Sequence, residues 1–189
     1  MIEIEIKSKI NDSKKAMEDL GKIGATYSHT ERQHDIYFNA PDKDYAKTDE
    51  ALRIRQIPDG DDFKRILTYK GPKINSKSKT RKEVEVEISD VDAMNEILVN
   101  LGFKASAIVS KIRRIFNYED YTITLDKIEE LGYYMEIEYV TDDEAKVDEM
   151  CDNIMGVFEK LGITDGFERT SYLELLEQVK DVSVKDNEE

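Results

Sequence analysis

The sequence has no tryptophan, a single cysteine (Cys151), two histidines and three prolines among its 189 residues. A lone cysteine excludes an internal disulfide and any zinc site built from several thiolates, so a reducing compartment is expected. No stretch approaches the roughly 18 apolar residues of a membrane-spanning helix. Met1 leads straight into Ile-Glu-Ile-Glu-Ile-Lys, without the basic and apolar regions of a secretory signal, which predicts a soluble, cytoplasmic protein. Positive charge is also scarce: 28 Lys and Arg against 42 Asp and Glu give a formal net charge of −14 at pH 7. A broadly basic surface for nucleic acid is therefore not expected, although a basic site inside an acidic shell stays open. Neither nucleic acid nor membrane is an expected partner. The length suits one domain, placed at 1–179, with the largely charged 180–189 as a frayed tail.

Strict alternation of apolar and charged residues is the strongest pattern, and it is the period of a strand with two unlike faces. Ile2, Ile4 and Ile6 oppose Glu3, Glu5 and Lys7; Leu52 and Ile54 oppose Arg53 and Arg55; Val84, Val86 and Ile88 oppose Glu83, Glu85 and Glu87. Further strands are predicted over 33–39, 64–70, 109–118, 120–127 and 133–140, about eight in all by the same alternation rule. Helices are predicted over 12–20, 90–101 and 142–161, each opened by polar capping residues and closed by Leu-Gly at Gly21, Gly102 and Gly162. A strand bearing Glu-x-Glu precedes each of them, a loose internal repeat. A last helix is predicted over 168–179. Gly71-Pro72 and the residues up to Thr80 have loop composition, and 41–44 and 58–62 read as turns.

A charged strand face ordinarily points at water, but here it recurs on most strands of a sheet large enough to close. With helices covering the isoleucine and valine faces, the charged faces converge into a barrel with an ionic interior. Such an interior needs its charges paired, hydrated or neutralised by a charged ligand. Lys7, Arg53, Arg55, Lys70, Arg81, Lys111 and Arg113 supply cations suited to phosphate oxygens. Glu3, Glu5, Asp126, Glu136 and Glu138 supply hard oxygen ligands for Mg²⁺ or Mn²⁺ shared with phosphate. Together they point to a metal-bound polyphosphate and to phosphoryl or nucleotidyl transfer.

The residues also carry a resemblance. Glu3-Ile4-Glu5-Ile6-Lys7 is similar to the Glu-x-Glu-x-Lys signature of the CYTH superfamily, the triphosphate tunnel metalloenzymes. The likeness continues through Ala51 to Arg55, Thr68 to Pro72, Arg81 to Glu85, Lys111 to Arg113, Asp126, Leu131-Gly132 and Glu136 to Glu138, over roughly residues 1–175. It implies an α+β fold: a closed eight-stranded antiparallel barrel with outer helices, binding a triphosphate along its axis with divalent metal. Gln33 to Pro41, Thr48 to Arg55 and Thr170 to Leu176 resemble the class IV adenylate cyclase branch. The absence of tryptophan departs from animal thiamine triphosphatases.

The resemblance implies that the seven cations bind the substrate and serve catalysis, and that Glu3, Glu5, Asp126, Glu136 and Glu138 hold metal. Glu83 and Glu85 are further candidates that could instead neutralise arginines, while Glu87 reads as structural and Arg114 as an outward cation. The activity implied is conversion of ATP to cyclic AMP and pyrophosphate. The alternatives are a triphosphatase for thiamine triphosphate, a nucleoside triphosphate or tripolyphosphate, and a non-catalytic polyphosphate-binding module. A homodimer follows from family analogy only. His29 and His34 read as ordinary surface residues and Cys151 as inert core. Tyr37, Tyr69 and Tyr172 have two readings, tunnel mouth or packing. The lysines of 73–79 read as a solvated loop, with a lid over the triphosphate as the sharper alternative.

Overall fold

The computed structural model describes residues 2–74 and 80–185. Eight strands form one antiparallel sheet in the order β5-β4-β3-β2-β6-β7-β8-β1: β1 (Ile2–Ile10), β2 (Thr26–Asn39), β3 (Ala51–Asp59), β4 (Asp62–Lys70), β5 (Arg81–Glu87), β6 (Lys104–Tyr118), β7 (Tyr121–Ile128) and β8 (Gly132–Thr141). Pairing of Ile2 with Lys82 and Glu3 with Arg81 joins β5 to β1 and closes the barrel. Only the start of β1 meets β5. Farther along, a two-residue strand β9 (Phe167–Glu168) takes over the vacated edge opposite Lys7 and Ser8.

The alternation in the sequence decides which face each strand buries. The isoleucines of β1 point outward and pack with Ile123, Leu125, Met135 and Ile137 beneath α1 (Ser13–Lys22) and α4 (Val147–Lys160). Asp12 caps α1 by accepting the Lys14 and Lys15 amides at 3.0 Å. From α4, Val147, Cys151, Ile154, Val157 and Phe158 enter that core as one apolar stripe at helical spacing. A second cluster lies under α3 (Val91–Asn100), where Leu98 meets Phe38, Leu52 and Ile54. The short α2 (Tyr45–Thr48) closes the turn between β2 and β3, and α5 (Tyr172–Lys185) lies across one end of the barrel.

Several boundaries differ from expectation. Gly21 does not stop the first helix; the chain continues to Lys22 and turns at Gly24, whose φ of +89° is the left-handed geometry that glycine tolerates. Strands β2 and β6 extend well before 33 and 109, because they pair with each other from Thr26 to Asn39. Glu168, placed by the sequence at the start of the last helix, pairs with Phe167 in β9 instead. That helix starts at Tyr172 and continues through Lys185; residues 186–189 of the expected tail lie outside the described residues. Nor do helices cover every apolar face. Val84 and Val86 on β5 are 65% and 54% exposed, since α1 and α4 sit over β1 and α3 over β2 and β3.

Candidate functional site

The inward positions of the strands surround a cavity of about 360 Å³. Arg53, Arg55, Lys70, Arg81, Lys111 and Arg113 line it, as do Glu3, Glu5, Glu83, Glu85, Glu136 and Glu138. Register explains the meeting: Arg113 stands opposite Asp126 on β7, which stands two positions from Thr124, the partner of Glu136 on β8. Glu5 pairs with Glu138 across β1 and β8. Alternation aims each of these side chains inward. Arg114 and Glu87, read as peripheral, are absent from the wall.

Two aspartates hold the cations in orientation. Asp126 is fully buried and accepts Lys111 Nζ at 2.9 Å, Arg113 Nε at 2.7 Å and Arg113 Nη2 at 2.6 Å. Burial would raise its carboxyl, but Arg113 and Lys111 overcome this and keep it below the usual range. On β2, with β6 between it and β7, Asp35 accepts Arg55 Nε and Nη2, each at 2.7 Å, and lies 3.6 Å from Arg53. Burial again acts upward there, and Arg53 and Arg55 again win, holding the carboxyl far below an ordinary aspartate. Asp35 was missed as a site residue by sequence reasoning. A single acid between His34 and Ile36 gives no Glu-x-Glu repeat, and only its parity with the inward Gln33 and Tyr37 marks it.

The carboxylates differ in how closely cations engage them, and three of them, Glu138 with Arg113 Nη1 at 3.3 Å among them, also crowd together. Glu83 accepts Lys70 Nζ at 2.5 Å; Glu85 accepts the Thr68 hydroxyl at 2.8 Å and lies 3.7 Å from Arg53. Glu136 meets Arg113 directly. One oxygen from each of Glu3, Glu5 and Glu138 falls within 4.8 Å of the others. Glu138 shows the strain of that crowding, since burial first and Glu3 second push its carboxyl up to about 8 against the pull of Arg113. Burial lifts Glu83 to about 7 even beside Lys70. Glu3 goes the other way: burial raises it, but Lys70, 3.7 Å away, and the nearby Arg53 and Arg113 leave it lowered. Three converging carboxylates, one of them raised by burial and by Glu3 although Arg113 lies 3.3 Å from it, fit a small hard dication. Asp126 stands outside this trio, and both its oxygens are taken by Lys111 and Arg113.

Lys7 does not line the cavity. Its ammonium is buried and donates to the Thr170 carbonyl at 2.6 Å, over the ring of Tyr172. Tyr172 and Tyr37 do line the wall, whereas Tyr69 bonds Glu50 and packs under α3. His29 touches Ser28 and Glu31, and His34 touches Ser110, both at exposed positions of β2 away from the acidic trio. Cys151 is buried in the stripe of α4. In the loop after β4, Lys73 donates its amide to Asp49 at 2.8 Å, and residues 75–79 of the suggested lid lie outside the described residues.

The CYTH domain description matches residues 1–172. A Methanocaldococcus jannaschii protein provisionally named an adenylate cyclase is 45% identical over 176 residues, covering 93% of this chain and 98% of its own length. A Pyrococcus horikoshii protein of solved structure superposes with a TM-score of 0.87 at 42% identity, covering 93% of this chain and 98% of the other. More distant in sequence, a Hippeastrum protein whose structure is described as a provisional adenylyl cyclase with dominant triphosphatase activity superposes at a TM-score of 0.62 and 20% identity, covering 94% and 95% of the two chains.

Proposed function

The chain belongs to the CYTH family, and on that premise we propose that it is a metal-dependent enzyme that converts ATP to cyclic AMP and pyrophosphate. The observation that carries the reading is the meeting, in one cavity, of six lysine and arginine side chains with the Glu3, Glu5 and Glu138 trio. Six cations exceed what one phosphate needs and suit three. A purely anion-binding cavity would gain nothing from a crowded carboxylate cluster among them.

Glu3, Glu5 and Glu138 are the residues that would hold Mg²⁺ or Mn²⁺, with Glu136 beside them. Such an ion supplies Lewis-acid stabilisation of phosphate oxygens and a lowered pKa for the attacking hydroxyl. Arg53, Arg55, Lys70, Arg81, Lys111 and Arg113 bind the triphosphate with the donors they turn toward the cavity. Asp35 and Asp126 keep Arg55 and Arg113 aimed while they do so, from the side of each guanidinium that faces the wall. In this reading Asp126 serves the cations, while Glu83 and Glu85 balance Lys70 and Arg53. The ribose 3′-oxygen forms a bond to the α-phosphorus as the bond to pyrophosphate breaks, and the hydroxyl proton passes to solvent water. The barrel's part is to hold the chain of phosphates extended so that attack and departure lie in line.

A triphosphatase is the second reading, favoured by the activity ascribed to the Hippeastrum protein. It uses the same cradle, with water attacking the terminal phosphorus. Incubation with ATP and Mg²⁺ or Mn²⁺, resolving the products, separates the two. Equal amounts of cyclic AMP and pyrophosphate are expected; orthophosphate without cyclic AMP would move the assignment to triphosphatase.

A further inference from the structure

Tyr172 opens α5 with its ring against two cations that come from different strands. Lys7 Nζ on β1 lies 4.0 Å from the ring centre, and Lys111 Nζ on β6 lies 4.9 Å from it. Two ammonium groups facing one buried ring repel each other, and the negative face of the ring offsets that repulsion. We propose that Tyr172 is a positioning residue for Lys7 and Lys111, so that the first turn of α5 is part of the triphosphate site. The inference rests on the reading that a triphosphate occupies the cavity.

The placement of the ring is heavily constrained. β9 pairs with Lys7 and Ser8; the Ser8 hydroxyl donates to the Asp165 carbonyl at 3.0 Å, and the Lys9 amide to Gly166 at 3.1 Å. Ser171 and Glu174 then cap α5 reciprocally: the Ser171 amide donates to the Glu174 carboxylate at 2.6 Å, and the Glu174 amide to the Ser171 hydroxyl at 3.2 Å. Tyr134 meets Tyr172 edge to face at 5.4 Å. Every one of these contacts fixes the angle at which the ring enters the barrel.

The consequence for the cations is specific. Lys7 sits behind the ring, with the Thr170 carbonyl as its acceptor, so its charge reaches the cavity past Tyr172. Lys111 sits on the cavity side, shared between the ring and Asp126. Without the aromatic face, the repulsion between Lys7 and Lys111 would be unrelieved, and neither ammonium would be held at its present place beside the cavity.

Titration calorimetry with tripolyphosphate, in the absence of metal, tests this without relying on turnover. Tyr172→Leu is expected to weaken binding about tenfold, which corresponds to about 1.4 kcal/mol. Tyr172→Phe keeps the ring face and is expected to stay within about twofold of wild type. Combining Tyr172→Leu with Lys7→Met should cost little more than the worse single change, because both remove one shared contact. Additive losses, or wild-type affinity in Tyr172→Leu, would overturn the proposal. Should the leucine variant not fold, Tyr172→Met, which fills space without a π face, is read by the same criteria. If wild-type protein takes up no tripolyphosphate, the cavity reading fails and this inference with it; binding that is indifferent to Tyr172 sinks the inference alone.

Discussion

Asp126 grips Arg113 through two parallel hydrogen bonds of 2.7 and 2.6 Å while also accepting Lys111. One buried acid thus serves two buried cations, and Glu136, which Arg113 also meets, supplies the second negative charge. Asp126→Asn should lower stability by about 3–5 kcal/mol, the range for stripping one partner from a buried ion pair. Tripolyphosphate should restore part of that loss by replacing the missing counter-charge, so its stabilising shift in melting temperature is expected to be larger in the variant than in wild type. Equal shifts would contradict the role given to Asp126.

Asp35 gives the acid limb of stability its form. Its folded carboxyl is held far below the unfolded value of about 3.9 by Arg53 and Arg55 acting against burial. A depressed acid contributes fully above its unfolded pKa and loses that contribution as pH falls through the folded one. Chemical unfolding from pH 6 down to about 2 should therefore show a steep decline in wild type. Asp35→Asn should be less stable at pH 6 and decline less steeply.

Glu138 imposes the opposite slope. Its carboxyl, raised to about 8 by burial and then by Glu3, stays protonated in the metal-free fold where an unfolded glutamate has ionised. Its contribution is present below the unfolded pKa and is lost as pH rises toward about 8. Metal-free protein should lose stability across that window from this group, and Mg²⁺ or Mn²⁺ should relieve the loss. Uptake of metal at pH 7 should also release a proton, read by calorimetry in buffers of different ionisation enthalpy. In Glu138→Gln that release is expected to vanish and metal affinity to fall at least about tenfold.

Phe158 tests the packing that carries the site. It is fully buried in α4 and meets Phe167 of β9 edge to face at 5.2 Å. Phe158→Ala should cost about 3–5 kcal/mol as a core truncation. Because Phe167 pairs alongside Lys7, the variant should also speed hydrogen exchange in 165–172 more than in β6 and β7. Uniform acceleration across the barrel would separate β9 from the α4 core.

Much of this was legible in the chain because the period of a strand is two. Ile2, Ile4 and Ile6 against Glu3, Glu5 and Lys7 fixed both the outer core and the inward charge, and the same logic placed Arg53, Arg55, Lys111 and Arg113. What alternation cannot convey is which inward or buried side chain meets which. Asp35 stands opposite Arg55 through the register of β2 on β3, and Lys7 is covered by Thr170, 163 positions away in sequence. The exposed Val84 and Val86 illustrate a second limit: periodicity identifies an apolar face but not whether a helix is available to cover it. The misplaced stop at Gly21 is a third, since the left-handed turn at Gly24 depends on where the chain must enter β2.

The central claim is that one cavity holds a triphosphate on the arginine and lysine row and a divalent ion on Glu3, Glu5 and Glu138. Crystals grown with tripolyphosphate and Mn²⁺, measured for the anomalous signal of manganese, address it directly. The account predicts a manganese peak coordinated by those three carboxylates, with phosphate density reaching Arg53, Arg55, Lys111 and Arg113. Manganese bound elsewhere with the trio empty, or phosphate density outside the barrel, would contradict it.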